Sequence, residues 1–223
     1  MKVFTSIVVA VSVVAASAEA QVGKGSAAID STVPGIMKRA GRQASAIWLR
    51  DILRQVDSRH RDSKLDELAD SLAGRAIKSL DPPTAESKTA AISALNTLIL
   101  AGSNSPLRGT PYMGAYTRVV RVLEEAPSRD IRARALGGLL AVGSHTNALS
   151  RLKQVAESND PLAYDAINFL ITDASGGSWL GISPSATHQQ ESVVALRTLA
   201  ARSRVSDPKA ARLLTAWVAR NGG

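Results

Sequence analysis

The chain has 223 residues, which is enough for one domain with a substantial core. It contains no cysteine, so disulfides, thiolate metal sites and a thiol nucleophile are excluded. Aromatic residues make up only 4%, which suits closely stacked helices rich in alanine and leucine, and the formal charge of +8 favours anionic partners.

The N-terminal residues 1–20 have the pattern of a secretory signal peptide. Lys2 supplies positive charge, residues 3–16 form a largely apolar run, and residues 18–20 match an A-x-A cleavage site. We predict cleavage before Gln21. A retained anchor is the alternative, although the run is short for the ~20 residues that a span requires. We therefore expect a bacterial protein in the periplasm or outside the cell, while a eukaryotic secretory protein is left open.

Residues 21–35 are rich in glycine, serine and alanine and are predicted to form a flexible leader. From residue 36 onwards, apolar residues recur at helical spacing, and glycine, proline and capping residues separate the segments. The predicted helices occupy 36–56, 64–80, 86–101, 112–126, 129–142, a segment that starts after 146, 161–173, 187–202, and a last segment from 208.

Local signals set the predicted helix ends. Ser63 and Thr187 each begin a capping-box pattern, with an acidic or amide residue three positions further on. Ser128 and Asp160 stand at predicted N-cap positions. Gly143 is expected to end the central helix in the left-handed conformation that glycine adopts without strain.

The clearest repeat lies between residues 128 and 173. Ile131, Ala135 and Leu139 share one face of a predicted helix. The same pattern returns 31 residues later at Leu162, Ala166 and Leu170. A repeated helical face of this kind predicts that consecutive structural units stack on one another.

This stretch resembles HEAT repeats, especially the short bacterial kind named after the phycobilisome lyases, over residues 129–172. The resemblance rests on Ile131-Arg132, Ala135 and Leu139, whereas Ala163 replaces the motif's arginine in the second copy. It implies an α-solenoid, an architecture that members of the family share far more than any activity. Some members act as lyases, but no residue here matches such a role.

We therefore predict an all-α fold over residues 36–223: an α-solenoid of about four antiparallel helix pairs plus a C-terminal capping helix. Each pair of a solenoid buries its apolar stripe against its neighbours, so the end elements differ from the central ones. Trp48 and Trp217 are placed to close the two ends of the stack.

The connections within the helix pairs suggest a binding edge. Those at 103–111, 143–146 and 174–186 all leave the solenoid on the same side, and insertions collected on one edge often form a binding face. We predict that five residues line one patch there: Arg108, Tyr112, His145, Trp179 and Ile182. The alternative is that Trp179 and Ile182 fold back and cover the ends of their own helices.

Basic residues suggest a second surface. Six arginines cluster in the predicted helices of the central region: Arg118, Arg121, Arg129, Arg132, Arg134 and Arg151. Such a face could attract anionic lipid head groups or cell-envelope polymers. The alternative is a solvated face that Glu124, Glu125 and Asp130 partly neutralise. No specific nucleic-acid binding is predicted, because aromatic residues do not interleave with the arginines.

No catalytic, metal or cofactor site is predicted. His60, His145 and His188 lack a second ligand at helical spacing, so we interpret them as surface or capping residues. The acidic group at 66–70 lies where a helix start favours carboxylates. Ser150 and Lys153 have S-x-x-K spacing, but the partner motifs of that enzyme class are missing.

Three functions remain, in order. The first is an exported, non-enzymatic scaffold that binds another protein in the cell envelope. The second is a binder of an anionic polymer or lipid surface through the arginines. The third is a lyase-type or hydrolytic enzyme, for which no residue can be named.

Overall fold

The computed structural model describes residues 61–78, 85–103 and 112–221. The predicted signal peptide at 1–20, the leader at 21–35 and the helix at 36–56 lie outside these residues. Trp48, His60 and Arg108 also lie outside them, as does most of the predicted connection at 103–111.

The part of the chain that the structure describes is all-helical, as predicted. It contains eight α-helices and no β-strand. The helices are α1 (Arg61–Ile77), α2 (Ala85–Gly102), α3 (Ala115–Glu125), α4 (Arg129–Gly138), α5 (His145–Glu157), α6 (Ala163–Ala174), α7 (Ala186–Arg202) and α8 (Pro208–Asn221). A short 3-10 helix, Leu139–Ala141, follows α4.

Two predicted capping boxes are wrong, because Ser63 and Thr187 lie inside α1 and α7. The N-cap of α7 is Ser185, whose hydroxyl oxygen accepts the backbone N–H of His188 at 3.2 Å. Asp207 caps α8, since its carboxylate accepts the N–H of Ala210 at 2.6 Å. Capping by the nearest serine therefore starts α7 one residue earlier than the sequence pattern indicated.

The ends of the central helices also differ from the prediction. The side-chain carboxylate of Asp160 accepts a hydrogen bond from the backbone N–H of Leu162. This bond forms a local turn, so α6 begins only at Ala163. Helix α4 ends at Gly138 and continues as the 3-10 turn. Gly143 has a φ of +69°, as expected, and it turns the chain into α5.

The repeated apolar positions form the core. The residues at these positions are each at most 1% exposed, which confirms the buried helix faces predicted from the sequence. They are Ile131, Ala135, Leu139, Leu162, Ala166 and Leu170. Trp217 of α8 is also buried. Helical periodicity predicted this core because each apolar stripe is a local property of its own helix.

The main helix contacts join elements that are one or two positions apart along the chain. Helix α4 packs against α2, α3 and α6, and α6 packs against α4, α5, α7 and α8. Helices α1 and α3 are in contact, as are α5 and α7. Five pairs of alternate helices therefore pack against each other in the described residues: α1 with α3, α2 with α4, α4 with α6, α5 with α7, and α6 with α8.

Gly138 allows one close approach in this packing. A Cβ atom at this position would lie 2.8 Å from Cγ1 of Ile99, closer than a Cβ atom tolerates. The missing side chain therefore lets α4 pack directly on α2. Among the helices that the structure describes, none has both the length and the apolarity needed to cross a lipid bilayer.

Candidate functional site

A cleft of about 390 Å³ lies between the turn that precedes α5 and the connection between α6 and α7. Three residues of the predicted patch line it: His145, Trp179 and Ile182. Phe169 and His188 add an aromatic wall and a second imidazole. The structure therefore brings together His145 from the connection at 143–146 with Trp179 and Ile182 from the connection at 174–186.

Tyr112 does not line this cleft. Its hydroxyl donates to the Asp66 carboxylate, and the Arg118 guanidinium lies 5.7 Å from its ring centre. Burial and the hydrogen bond to Asp66 raise the pKa of Tyr112 well above its usual value. Tyr112 is thus part of a polar contact between α1 and α3, apart from the three patch residues that line the cleft.

The connection between α6 and α7 is a compact turn. Trp179 and Ile182 exchange backbone hydrogen bonds of 2.8 and 2.9 Å, and Leu180 and Gly181 between them both have positive φ. This is the pattern of a two-residue hairpin turn. Leu180 has a φ of +52°, a conformation that is costly for a residue with a branched side chain.

Trp179 folds back onto the helices while it lines the cleft. Its ring meets the ring of Phe169 edge-on, with ring centres 5.1 Å apart. The Arg134 guanidinium lies 5.9 Å from the Trp179 ring centre, and Gly137 leaves room for the indole. The indole N–H is buried and finds no acceptor among the described residues. Trp179 therefore packs on α4 and α6.

A buried polar cluster forms one side of the cleft. His145, the first residue of α5, places Nδ1 2.6 Å from a Glu191 oxygen and Nε2 3.2 Å from an Asp173 oxygen. The hydroxyl of Ser192 donates to the same Asp173 oxygen at 2.6 Å. His145, Asp173 and Ser192 are buried, whereas the Glu191 side chain is 42% exposed. The cluster joins α5, α6 and α7.

The charge of His145 depends on these two carboxylates. Burial by itself lowers the pKa of His145, but the hydrogen bonds and charges of Asp173 and Glu191 outweigh it, so the net pKa is raised. Because a carboxylate faces each ring nitrogen, both nitrogens can donate only in the imidazolium form. The cluster therefore favours a positive charge at this position.

His188 completes the group. Its ring stacks on the His145 ring with centres 4.0 Å apart and an angle of 4° between the planes. Ligand atoms of His145, His188 and Glu191 all lie within 4.8 Å of one another. The cluster is not a serine–histidine pair for nucleophilic catalysis, because the buried Ser192 hydroxyl bonds Asp173 and not the imidazole.

The interpretation of His145 as a surface or capping residue is wrong, because its side chain is only 4% exposed. The sequence analysis missed the roles of Asp173, Glu191 and Ser192. His188 and Glu191 are three residues apart on one helix, which is the only local signal. The other members come from different helices, so no spacing in the sequence connects them.

Most arginines of the predicted basic face form ion pairs with carboxylates of the same chain. Five of them form ion pairs: Arg118 with Asp66 and Asp70, Arg121 with Glu125, Arg129 with Asp165, Arg132 with Asp160, and Arg151 with Glu124. Arg134 instead donates to the side-chain oxygen of Asn96 at 2.6 Å. These pairs offset much of the local positive charge, as in the solvated-face alternative.

No protein-family model, curated protein or solved structure matches this chain at a significant level. The fold and the cleft are therefore interpreted from the residues and their contacts alone.

Proposed function

We propose that this chain is an exported, non-enzymatic α-solenoid that binds a segment of another protein in the cleft at its connection edge. The solenoid would comprise about four antiparallel helix pairs and the capping helix α8. The near-neighbour packing supports it, because the main contacts between the described α-helices join helices at most two positions apart along the chain. The signal-like pattern at residues 1–20 supports export.

The observation that carries the proposal is the shared edge. Ser103, which begins the first connection, forms an isolated bridge with Val142, which begins the second. The second and third connections line the same cleft through Gly143 and Ile182. The first residue of the first connection thus lies beside the second connection, and the second and third connections share one cleft. This supports a common edge, which is where repeat proteins commonly place their binding residues.

The walls of the cleft indicate what would bind. Phe169, Trp179 and Ile182 offer an aromatic and aliphatic surface, and the two imidazoles of His145 and His188 lie beside it. A recess of this kind suits an extended peptide segment with one apolar anchor next to a polar or acidic group. We therefore propose a protein segment, and not a whole folded surface, as the bound element.

Site-specific photo-crosslinking tests this proposal in cell-envelope extracts. A photoreactive residue at Ser183, which is exposed and lines the cleft, should give a discrete crosslinked partner. The control position is Val194, which is 54% exposed on α7 and is not a cleft-lining residue. Crosslinks at Ser183 alone are the expected outcome.

A substitution in the wall provides the second arm. Ile182→Asp places a charge in the apolar wall and should abolish the Ser183 crosslink without reducing helicity measured by circular dichroism. Identical crosslinked species from Ser183 and Val194, or an Ile182→Asp variant that retains the partner, would argue against the cleft as the binding site.

The anionic-surface alternative receives less support from the contacts. Five of the six arginines already have carboxylate partners, so an anionic polymer would have to compete with ion pairs such as Arg118–Asp70. Salt separates the two proposals. Binding through exposed charges weakens steeply toward ~0.15 M ionic strength, whereas anchoring in an apolar cleft persists.

A further inference from the structure

We propose that His145, His188 and Glu191 form a binding site for a divalent transition-metal ion of the zinc type. Each residue offers one ligand atom: a ring nitrogen from each histidine and a carboxylate oxygen from Glu191. Two imidazoles and one carboxylate are a ligand set that zinc accepts in proteins, with the remaining position open to water or to another ligand.

The distances are close to those that an ion requires. The ligand atoms lie within 4.8 Å of one another. In a tetrahedral site with bonds of about 2.0–2.1 Å, neighbouring ligand atoms are about 3.3 Å apart. The two imidazole rings are stacked in parallel, so His188 would rotate out of the stack to aim a ring nitrogen at the same ion as His145. Glu191 and His188 are partly exposed, which leaves their side chains room to turn.

Asp173 and Ser192 hold the His145 ring from the side opposite to Glu191. A metal-bound histidine usually donates its other N–H to a carboxylate, which orients the ring. Here Asp173 stands 3.2 Å from Nε2 of His145, and Ser192 holds Asp173 with a 2.6 Å hydrogen bond. This leaves Nδ1 of His145 as the metal ligand, on the side where Glu191 and His188 lie.

The position of the site also fits an exchangeable ion. His145 and His188 both line the cleft, so an ion bound between them can be reached from solvent. The ion would replace the proton that Nδ1 of His145 shares with Glu191 in the metal-free protein. We predicted no metal ligand from the sequence because these donors lie on two helices, 43 to 46 residues apart.

Calorimetric titration of the full chain with Zn²⁺ tests the proposal. The protein is produced without a histidine tag and stripped with a chelator, and its folding is checked by circular dichroism. We expect one ion per chain and an increase in the melting temperature of the wild-type protein. This readout does not involve a partner protein, so it stands or falls independently of the proposed function.

Four variants assign the ligands. Glu191→Gln and His188→Gln change partly exposed side chains, so both should fold and bind Zn²⁺ at least about tenfold more weakly. Asp173→Asn tests the positioning role and should weaken binding by about 10–100-fold. His60→Gln is the matched control, because His60 is the third histidine of the chain and is not one of the three proposed ligands.

The overturning results are equally specific. The proposal fails if the wild-type chain binds no Zn²⁺ at micromolar concentration. It also fails if Glu191→Gln and His188→Gln bind as tightly as the wild type, or if only His60→Gln loses the ion. Tetrahedral absorption bands of bound Co²⁺ that vanish in Glu191→Gln would support the assigned ligand set.

Discussion

At the scale of single residues, Asp173 is the centre of the polar cluster. It is 6% exposed and accepts from both His145 and Ser192, so its carboxylate satisfies two buried groups at once. A charged acceptor in such a place is costly to remove, since its partners are left without a hydrogen bond. This role could not be predicted from the sequence, because the partners of Asp173 lie on two other helices.

We predict that Asp173→Ala lowers the free energy of unfolding by about 3 kcal/mol, because it leaves the imidazole of His145 and the hydroxyl of Ser192 buried without an acceptor. Urea denaturation followed by circular dichroism measures the change. The control is Glu125→Ala, which breaks an exposed ion pair with Arg121 and should cost at most about 0.5 kcal/mol. Equal losses in the two variants would contradict the prediction.

Tyr112 gives a prediction about pH. Its raised pKa means that the folded protein keeps the phenol proton to higher pH than the unfolded chain does. The stability that this group contributes is therefore complete below its ordinary pKa of 10.0 and is lost as the pH rises further. Phenolate absorbance measures the ionisation. The difference between wild type and Tyr112→Phe should titrate above pH 10.0, whereas a difference centred at or below it would refute the contact with Asp66.

At the scale of elements, helix positions were predictable and helix ends were less so. The apolar stripe of α4 and its copy in α6 are local patterns, and the predicted positions are buried. The ends depend on which side chain accepts a free backbone N–H at the start of the helix. Ser185, and not Thr187, caps α7, and the bond from Leu162 to Asp160 delays the start of α6. Of the cleft, only the proximity of its connections could be predicted from the sequence, because the polar cluster depends on contacts between separate helices.

Gly138 provides a test of helix packing. Gly138→Ala should destabilise the protein, because the overpacking cost against Ile99 of about 1–3 kcal/mol exceeds the gain in helix propensity of roughly 1 kcal/mol. Gly74→Ala in α1 is the matched control. No atom lies within 4 Å of a Cβ atom at Gly74, so this variant should gain stability. Thermal melts of both variants decide the matter, and a stabilised Gly138→Ala would show that α2 and α4 are not in close contact.

The turn between α6 and α7 gives a second test. Trp179→Ala should lower the free energy of unfolding by about 2 kcal/mol, since it removes a partly buried ring that packs on Phe169. Trp179→Phe should lose less, because it keeps the ring contact and removes an indole N–H that lacks an acceptor. Chemical denaturation compares the two. An unchanged stability in Trp179→Ala would favour the exposed-anchor interpretation instead.

At the scale of the whole molecule, contacts between near neighbours predict graded stability. In a repeat array, removal of an end element affects chiefly the element beside it. A chain that ends at Arg204 lacks α8, whose main contacts are with α6 and α7. We expect amide hydrogen exchange in α2 and α4 to remain protected in this variant. Loss of protection throughout the chain would indicate one cooperative core and would contradict the array.

The polar cluster has a mechanical consequence for the molecule as a whole. His145 stands at the start of α5, while its two carboxylate partners belong to α6 and α7. Any flexing between these helices must stretch or shorten those bonds. A ligand that takes His145 or Glu191 away from its present partner would therefore loosen the attachment of α5 to α6 and α7.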